Sequence, residues 1–409
     1  MKLTNCATNG ALADLKVIDL TRVYAGPACT QVLADHGACV IKIEPPQGDE
    51  TRDWGATGPT GLSSYFWGLN RNKHALALDL SQPAAREVLL RLLEDADVLI
   101  DNFKLGTLER WGLGYEQNLK SRFPRLVHLT ISGFGTVGPL AGYPGYDAVA
   151  QAFAGVMSVN GEPGGEPLKL PMPVVDYATG LYASSALLMA LHERNRSGCG
   201  QHIDLSLFDV ALTITHPLST TWMFTGEVPA PTGNIYEAIA PYGLFTCCDR
   251  KIFTGAGNNG AFRKMCGVLG LSMLIEDPRF TNNQQRVANR SDLDAAINAA
   301  ALQWNGEELA LTLMRAGVAA GVVQNLEEAF QHPQVAANEM WQDLGDGRVV
   351  ANPIKLSRTP ACLRSPAPTF GQDTDTVLSE AGYTPQEIGA LEESGAMTRR
   401  RHKAPGAPT

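Results

Sequence analysis

Two short apolar runs stand near the start of the chain, LKVIDL (15–20) and CVIKIE (39–44). Runs of this length, rich in Val and Ile, read as strands buried in a parallel sheet. Between them GPACTQVLADHGA has apolar positions at helical spacing and a proline, Pro27, in its first turn, where a missing N–H does no harm. SQPAAREVLLRLLEDA repeats the design with Ser81 placed to cap it, and DVLIDNF and RLVHLTIS follow as further strands. Strand and helix alternate from Leu15 to Ser206 without hairpin signals, which predicts an α/β fold built on a doubly wound, mostly parallel, Rossmann-like sheet.

Later segments break this rhythm. NGEPGGEPLKLPMP (160–173) is dense in Gly and Pro and reads as a loop that delivers the chain to Asp176. Tyr177 to Asn195 then has the spacing of a half-buried helix, with Leu181, Leu188 and Leu191 along one face and Ser184 between them. After Thr220, FTGEVPAPTGN reads as a linker, followed by strands around YGLFTCC and KIFTG and by helices as far as Ala329, a pattern that predicts a smaller α+β domain. From His332 onward there are short strands and two late helices.

The chain has 409 residues, 44% of them hydrophobic, enough for a large core and more than one domain. Its net charge of −9 argues against nucleic acid or an anionic membrane as a partner. The one basic run, Arg399 to Lys403, sits in a Pro/Gly-rich tail and reads as a flexible, solvated terminus. Eight cysteines (Cys6, Cys29, Cys39, Cys199, Cys247, Cys248, Cys266, Cys362) form no CxxC pair and read as reduced thiols of a cytoplasmic protein. The N-terminus has no signal-type apolar stretch, and no uninterrupted apolar run approaches the roughly 18 residues of a membrane span. P-loop, HExxH, GxSxG and metal-ligand clusters are absent from the sequence, so no metal is expected.

GAGNNG, with Gly255, Gly257 and Gly260, matches the dinucleotide pattern GxGxxG. The surroundings argue otherwise: SMLIEDPRF offers no second parallel strand ending in an acid, so the stretch reads as a mobile glycine loop whose amides can approach a ligand. The turn after the first strand, TRVYAGPAC, lacks the glycine trio, although the helix that follows can receive an anion. Asp176 carries two readings. Taken alone it is better explained as the cap of the helix it precedes than as a catalyst.

LADLKVIDLTRVYAGPACTQVLADHGACVIKIEPPQGDETRDWG, NRNKHALALDL, DVLIDNFKLGTLERWGL and DYATGLYASSALLMALHERNRSGCGQHIDLSLFD, in this order, resemble the family III CoA-transferases, the group of formyl-CoA transferase and carnitine CoA-transferase. The resemblance implies that Asp176 is a nucleophile, passing CoA from an acyl-CoA to a free carboxylic acid through an aspartyl anhydride and an aspartyl-CoA thioester. The resemblance implies no permanently bound cofactor, with coenzyme A entering as acyl-CoA substrate. The implied CoA and substrate contacts are Tyr24 and Ala25, Leu78, Asp79, Leu80 and Ser81, then Asn102, Phe103, Lys104 and Arg110, and finally Pro144, Gly145, Tyr146 and Asp147. The glycine loop would supply amides to developing oxyanions.

It also implies an interlocked homodimer, with the large domain built from both chain ends: 1–220, then a small domain over 221–331, then a return over 332–409. Two departures stand out. Pro45-Pro46 replaces a basic residue that some relatives carry after the second strand, and Tyr24 replaces the first-turn glutamine of formyl-CoA transferase. Related α-methylacyl-CoA racemases need a histidine where this chain has Tyr146, a poor base at neutral pH. A non-catalytic acyl-CoA-binding subunit of a heteromeric transferase is the other alternative, against which the retention of Asp176 speaks.

Overall fold

A computed structural model describes residues 9–58 and 61–402; Cys6 and Lys403 lie outside them. The strands β1 (Lys16–Asp19), β2 (Cys39–Glu44), β3 (Lys73–Ala77), β4 (Val98–Asp101), β5 (Val127–Ser132) and β6 (His202–Ser206) form one sheet in the order β3-β2-β1-β4-β5-β6. Every neighbouring pair is parallel. Period-two alternation sends side chains to two cores. Ile18, Ile41, Leu76 and Leu99 meet Val88, Leu89 and Leu92 of the Pro83–Leu92 helix together with Val377, Leu378 and Ile388 from the C-terminal stretch. On the other face Val17, Val40, Val98 and Leu129 meet Leu33 of the Ala25–Asp35 helix and Ala183, Leu187 and Ala190 of the Val174–Ser197 helix. This strand order reverses between β1 and β4, and a doubly wound sheet opens a crevice beyond its strand ends at such a point.

Several local expectations are corrected. Gln82, not Ser81, is the N-cap of the Pro83–Leu92 helix, and the Ser81 hydroxyl donates to Asp79 Oδ1 instead. The long helix starts at Val174, ahead of Asp176. Its buried face mixes small residues, Gly180, Ala183, Ser184 and Ala190 among them, with Leu187 and Leu191, so Leu191 is buried as its face requires whereas Leu181 and Leu188 are 42% and 44% exposed. An apolar surface on all sides gave periodicity no means of choosing the buried one. Among the described residues this helix is long and apolar enough to cross a membrane by length and composition alone, although Asp176 and several hydroxyl residues interrupt its apolar run. Its small face packs on the Ala25–Asp35 helix and on the sheet core.

The basic run is not free in solution as far as Arg401: Arg399 pairs with Asp375 at 2.6 Å, and Arg401 with Asp53 at 2.5 Å. Cys39 is disulfide-bonded, so the reduced-thiol expectation fails for it, while Cys29, Cys199, Cys247, Cys248, Cys266 and Cys362 are free.

The chain divides into two compact units. One comprises the residues through Val156, Leu170–Thr220 and the stretch from Ala336; the other comprises Met157–Lys169 and Thr221–Val335. Met157–Lys169, inside the 1–220 span expected for the larger domain, thus clusters with the second unit. That unit holds an antiparallel sheet of β7 (Tyr242–Thr246), β8 (Lys251–Gly255) and β9 (Ala320–Val322), with Phe245, Ile252, Phe262, Met265 and Leu313 in its core. An antiparallel β8 cannot head a dinucleotide βαβ unit. The expected mobile glycine loop is also shorter than predicted. Gly255 ends β8 against the Tyr242 ring, where an added Cβ would lie 2.5 Å from Cδ2, and Gly260 belongs to the Asn259–Leu269 helix, capped by Asn258.

Candidate active site

The turn after β1 is held from beneath by buried charge. Asp19 accepts from Thr21 N at 2.9 Å and Thr30 Oγ1 at 2.6 Å and pairs with Lys73 at 3.3 Å. Lys42 donates to Thr21 O at 2.7 Å and pairs with Asp49 at 3.0 Å. Burial is the largest influence on each of these groups. It pushes Lys73 down to about 8 against the pull of Asp19, whereas Asp49, Asp19 and Glu44 outweigh it at Lys42 and keep that ammonium above its ordinary range. Asp49 Oδ1 accepts from Val23 N at 3.2 Å. Val23 has φ of 72°, a left-handed conformation that a β-branched residue adopts only at a cost of about 1–3 kcal/mol. The network supports a strained turn that leads directly into Tyr24 and Ala25.

Opposite it, the loop after β4 is tied to the same turn. Asn102 Oδ1 accepts from Arg22 N at 3.1 Å and its Nδ2 donates to Arg22 O at 2.8 Å. Asp101 accepts from Phe103 N at 3.0 Å and meets His128 Nε2 at 2.8 Å, which fixes the start of that loop. A third wall comes from Ile131–Gly133 and Gly142–Tyr146, where two backbones touch: a Cβ on Gly145 would lie 2.6 Å from Gly133 Cα. Together with Asp176 they surround a cleft of about 210 Å³ at the reversal point of the sheet.

Asp176 is the third residue of its helix, whose N-cap is Pro173, so the expected capping role is not its own. Asp147 performs it: Oδ2 accepts from Val175 N at 2.7 Å and from Asp176 N at 3.0 Å. Among the described residues no donor meets the Asp176 carboxylate. Burial first, and the Asp147 charge second, push it up to about 7, opposite to the direction a capping bond would give. Burial, with Tyr177 and Asp176 nearby, pushes the Tyr24 phenol up to about 12, so it stays protonated and able to donate.

The structure brings Tyr24, Ala25, Asn102, Phe103, Lys104, Pro144, Gly145, Tyr146 and Asp176 to this cleft. Asp147 stands behind the wall. Leu78 and Leu80 are buried in the core, Asp79 is occupied by Ser81 and Gln82, and none of 78–81 lines the cleft. Arg110 is exposed, donates to Thr107 Oγ1 at 2.9 Å, and also lies off the lining. The reading of the sequence missed Arg22 and Glu50, a pair 3.0 Å apart at the cleft, and Gly133, whose sequence signal was the paired glycines of SGFG and YPG.

The profile described as CoA-transferase family III matches residues 12–374. A succinate–glutarate CoA-transferase of Agrobacterium fabrum is 38% identical over 381 residues, covering 90% of this chain and 95% of that protein. An acetyl-CoA:oxalate CoA-transferase of Acetobacter aceti is 38% identical over 357 residues, covering 87% and 91%. The crystal structure of a CAIB/BAIF family protein from Brucella suis superposes with a TM-score of 0.83 at 37% identity, covering 91% of this chain and all of that one. With motifs, fold and cleft in agreement, the chain belongs to CoA-transferase family III.

Proposed function

We propose that this family III CoA-transferase exchanges CoA between an acyl-CoA and a short dicarboxylic acid through the carboxylate of Asp176. One feature carries the reading: Asp176 faces the cleft at the sheet's reversal point with no hydrogen bond from the described residues to blunt it. A carboxylate oxygen attacks the thioester carbon, the C–S bond breaks, and a mixed anhydride and CoA thiolate result. The thiolate attacks Asp176 Cγ, the Cγ–O bond to the donor acyl group breaks, and the donor acid leaves as a carboxylate. The acceptor carboxylate reverses the sequence on the aspartyl thioester, and Asp176 is regenerated. Every leaving group departs as an anion, so no step needs a proton. The cleft lining, which has no histidine, suits that requirement.

Positive potential for these anions comes from Arg22, Lys104 and the first turn of the Ala25–Asp35 helix. The Arg22–Glu50 pair is partly exposed and therefore weak, so a substrate's distal carboxylate can replace Glu50. The relatives' names, with succinate, glutarate and oxalate, favour dicarboxylates. A homodimer belongs to the same reading, supported by the exposed apolar side chains along the Val174–Ser197 helix. The racemase alternative has only Tyr146 where an imidazole is required.

Intact-mass analysis after incubation with succinyl-CoA, glutaryl-CoA or acetyl-CoA tests the proposal. The expected result is a CoA-sized, hydroxylamine-sensitive adduct that is lost in Asp176→Ala. Absence of an adduct with all three donors, or deuterium entering Cα without any acceptor acid, would overturn it.

A further inference from the structure

Two carboxylates share the head of the Val174–Ser197 helix, and the backbone treats them unequally. Asp147 is fully occupied: Oδ2 takes the amides of Val175 and Asp176, and Oδ1 takes Gln151 Nε2. Gln151, itself buried, uses its Oε1 for Leu170 N at 2.9 Å, which ties in the chain that arrives at this helix. Asp147 is absent from the cleft lining, and both of its oxygens already accept hydrogen bonds from the chain. Asp176, at the third helical position, stands where an acidic side chain ordinarily reaches back to the helix's own N-terminal amides. A carboxylate so engaged is held ionised and is a weaker nucleophile.

We infer that Asp147 is a positioning residue for Asp176: by occupying the amides of Val175 and Asp176 it keeps the nucleophile's carboxylate unbonded and turned to the cleft. The inference rests on Asp176 being the nucleophile. Asp147 also contributes a negative charge beside it. The other titratable groups around Asp176 are Tyr24 on the turn after β1, Tyr177 on its own helix, and Arg22, Glu50, Lys104 and Tyr146 around the cleft. All but Asp147 are unchanged by the substitutions below.

Asp147→Asn keeps an oxygen for the two amides and removes the charge; Asp147→Ala removes both. In Asp147→Asn the acid limb of the kcat/KM profile for acyl-CoA should move down by about one pH unit or more, with KM within about two-fold of the parent. In Asp147→Ala, Asp176 takes the freed amides, the limb moves further, and kcat drops by about 100-fold. Thermal melts identify variants that fail to fold. A folded Asp147→Ala protein whose acid limb lies no lower than that of Asp147→Asn overturns the inference, as does a tenfold rise in KM at constant kcat, the mark of a ligand contact. A 13C-aspartate NMR titration of Asp176 separates the two ideas. If the unmodified chain forms no CoA adduct, the nucleophile reading falls, yet a lower Asp176 midpoint in Asp147→Ala than in Asp147→Asn still supports the positioning role, and equal midpoints in the two variants refute it.

Discussion

Asp147 and Asp176 meet the same helix N-terminus, but only Asp147 bonds to it, at 2.7 and 3.0 Å from the amides of Val175 and Asp176. The favourable end of the helix is thus spent on a residue behind the cleft wall, and the carboxylate inside the cleft carries the burial penalty. A functional group held in an unfavourable environment by its surroundings trades stability for reactivity.

The first consequence is a pair of opposite pH dependences. Asp176, pushed up to about 7 from the 3.8 of an ordinary aspartate, binds its proton more tightly in the folded state than in the unfolded one. Folding stability therefore falls as pH rises between about 4 and 7 and stays lower above 7, while the reactive ionised fraction rises. Asp176→Asn should stabilise the protein by about 1–3 kcal/mol at pH 8, after allowance for solvent screening, and change little at pH 4.5. Urea melts at the two pH values measure this; equal effects at both would show that the group is not strained. In the parent enzyme kcat/KM should fall about tenfold per unit below pH 7.

Gly180, one helical turn beyond Asp176, sets how closely the helix bearing Asp176 approaches the Tyr24–Ala25 turn. A Cβ there would lie 2.9 Å from Ala25 O and 3.1 Å from Ala28 Cβ. Gly180→Ala should destabilise by about 1–3 kcal/mol and lower kcat by about tenfold, because it displaces one cleft wall from Asp176. Gly267→Ala is the comparison: it also lies within a helix, but an added Cβ meets nothing within 4 Å, so a gain of about 0.5–1 kcal/mol and unaltered kinetics are expected. Equal effects of the two substitutions on kcat would remove helix spacing from the account.

Four of the six parallel strands were legible because buried runs such as VID and VIKIE allow few alternatives, and the proline-opened helices because Pro27 and Pro83 mark their first turns; β3 begins with Lys73 and His74 and β6 has exposed positions, so neither offers such a run. Asp176 was legible as a position but not as an environment: nothing in the local sequence says that its cap stands 29 residues earlier. Ser81 illustrates a similar limit, since a hydroxyl beside a helix start caps it only if nothing closer competes, and Asp79 does. Arg22 was overlooked because a single arginine after a strand has no local signature; its place at the cleft depends on Asn102, 80 residues away. Leu181, Leu188 and Leu191 were placed on one face, of which only Leu191 is buried; where the helix comes close to the Ala25–Asp35 helix the inward positions are small, Gly180 and Ala183.

That misplaced face yields the last prediction. Tyr177, Leu181, Tyr182, Leu188 and Met189 are 42–70% exposed on the helix that bears Asp176. A contiguous apolar strip on a helix otherwise built into the core marks a protein interface. If a second copy covers it, the 43.8 kDa chain should sediment at about twice that mass, and Leu181→Asp combined with Met189→Asp should give a monomer. Tyr177 follows Asp176 directly, so such a contact would steady the first turn that carries Asp176, and the monomeric variant should lose kcat along with its partner. Sedimentation equilibrium with parallel kinetics checks both statements. A parent chain that is monomeric at micromolar concentration and fully active would show that the strip serves some other partner and that Asp176 needs no support from it.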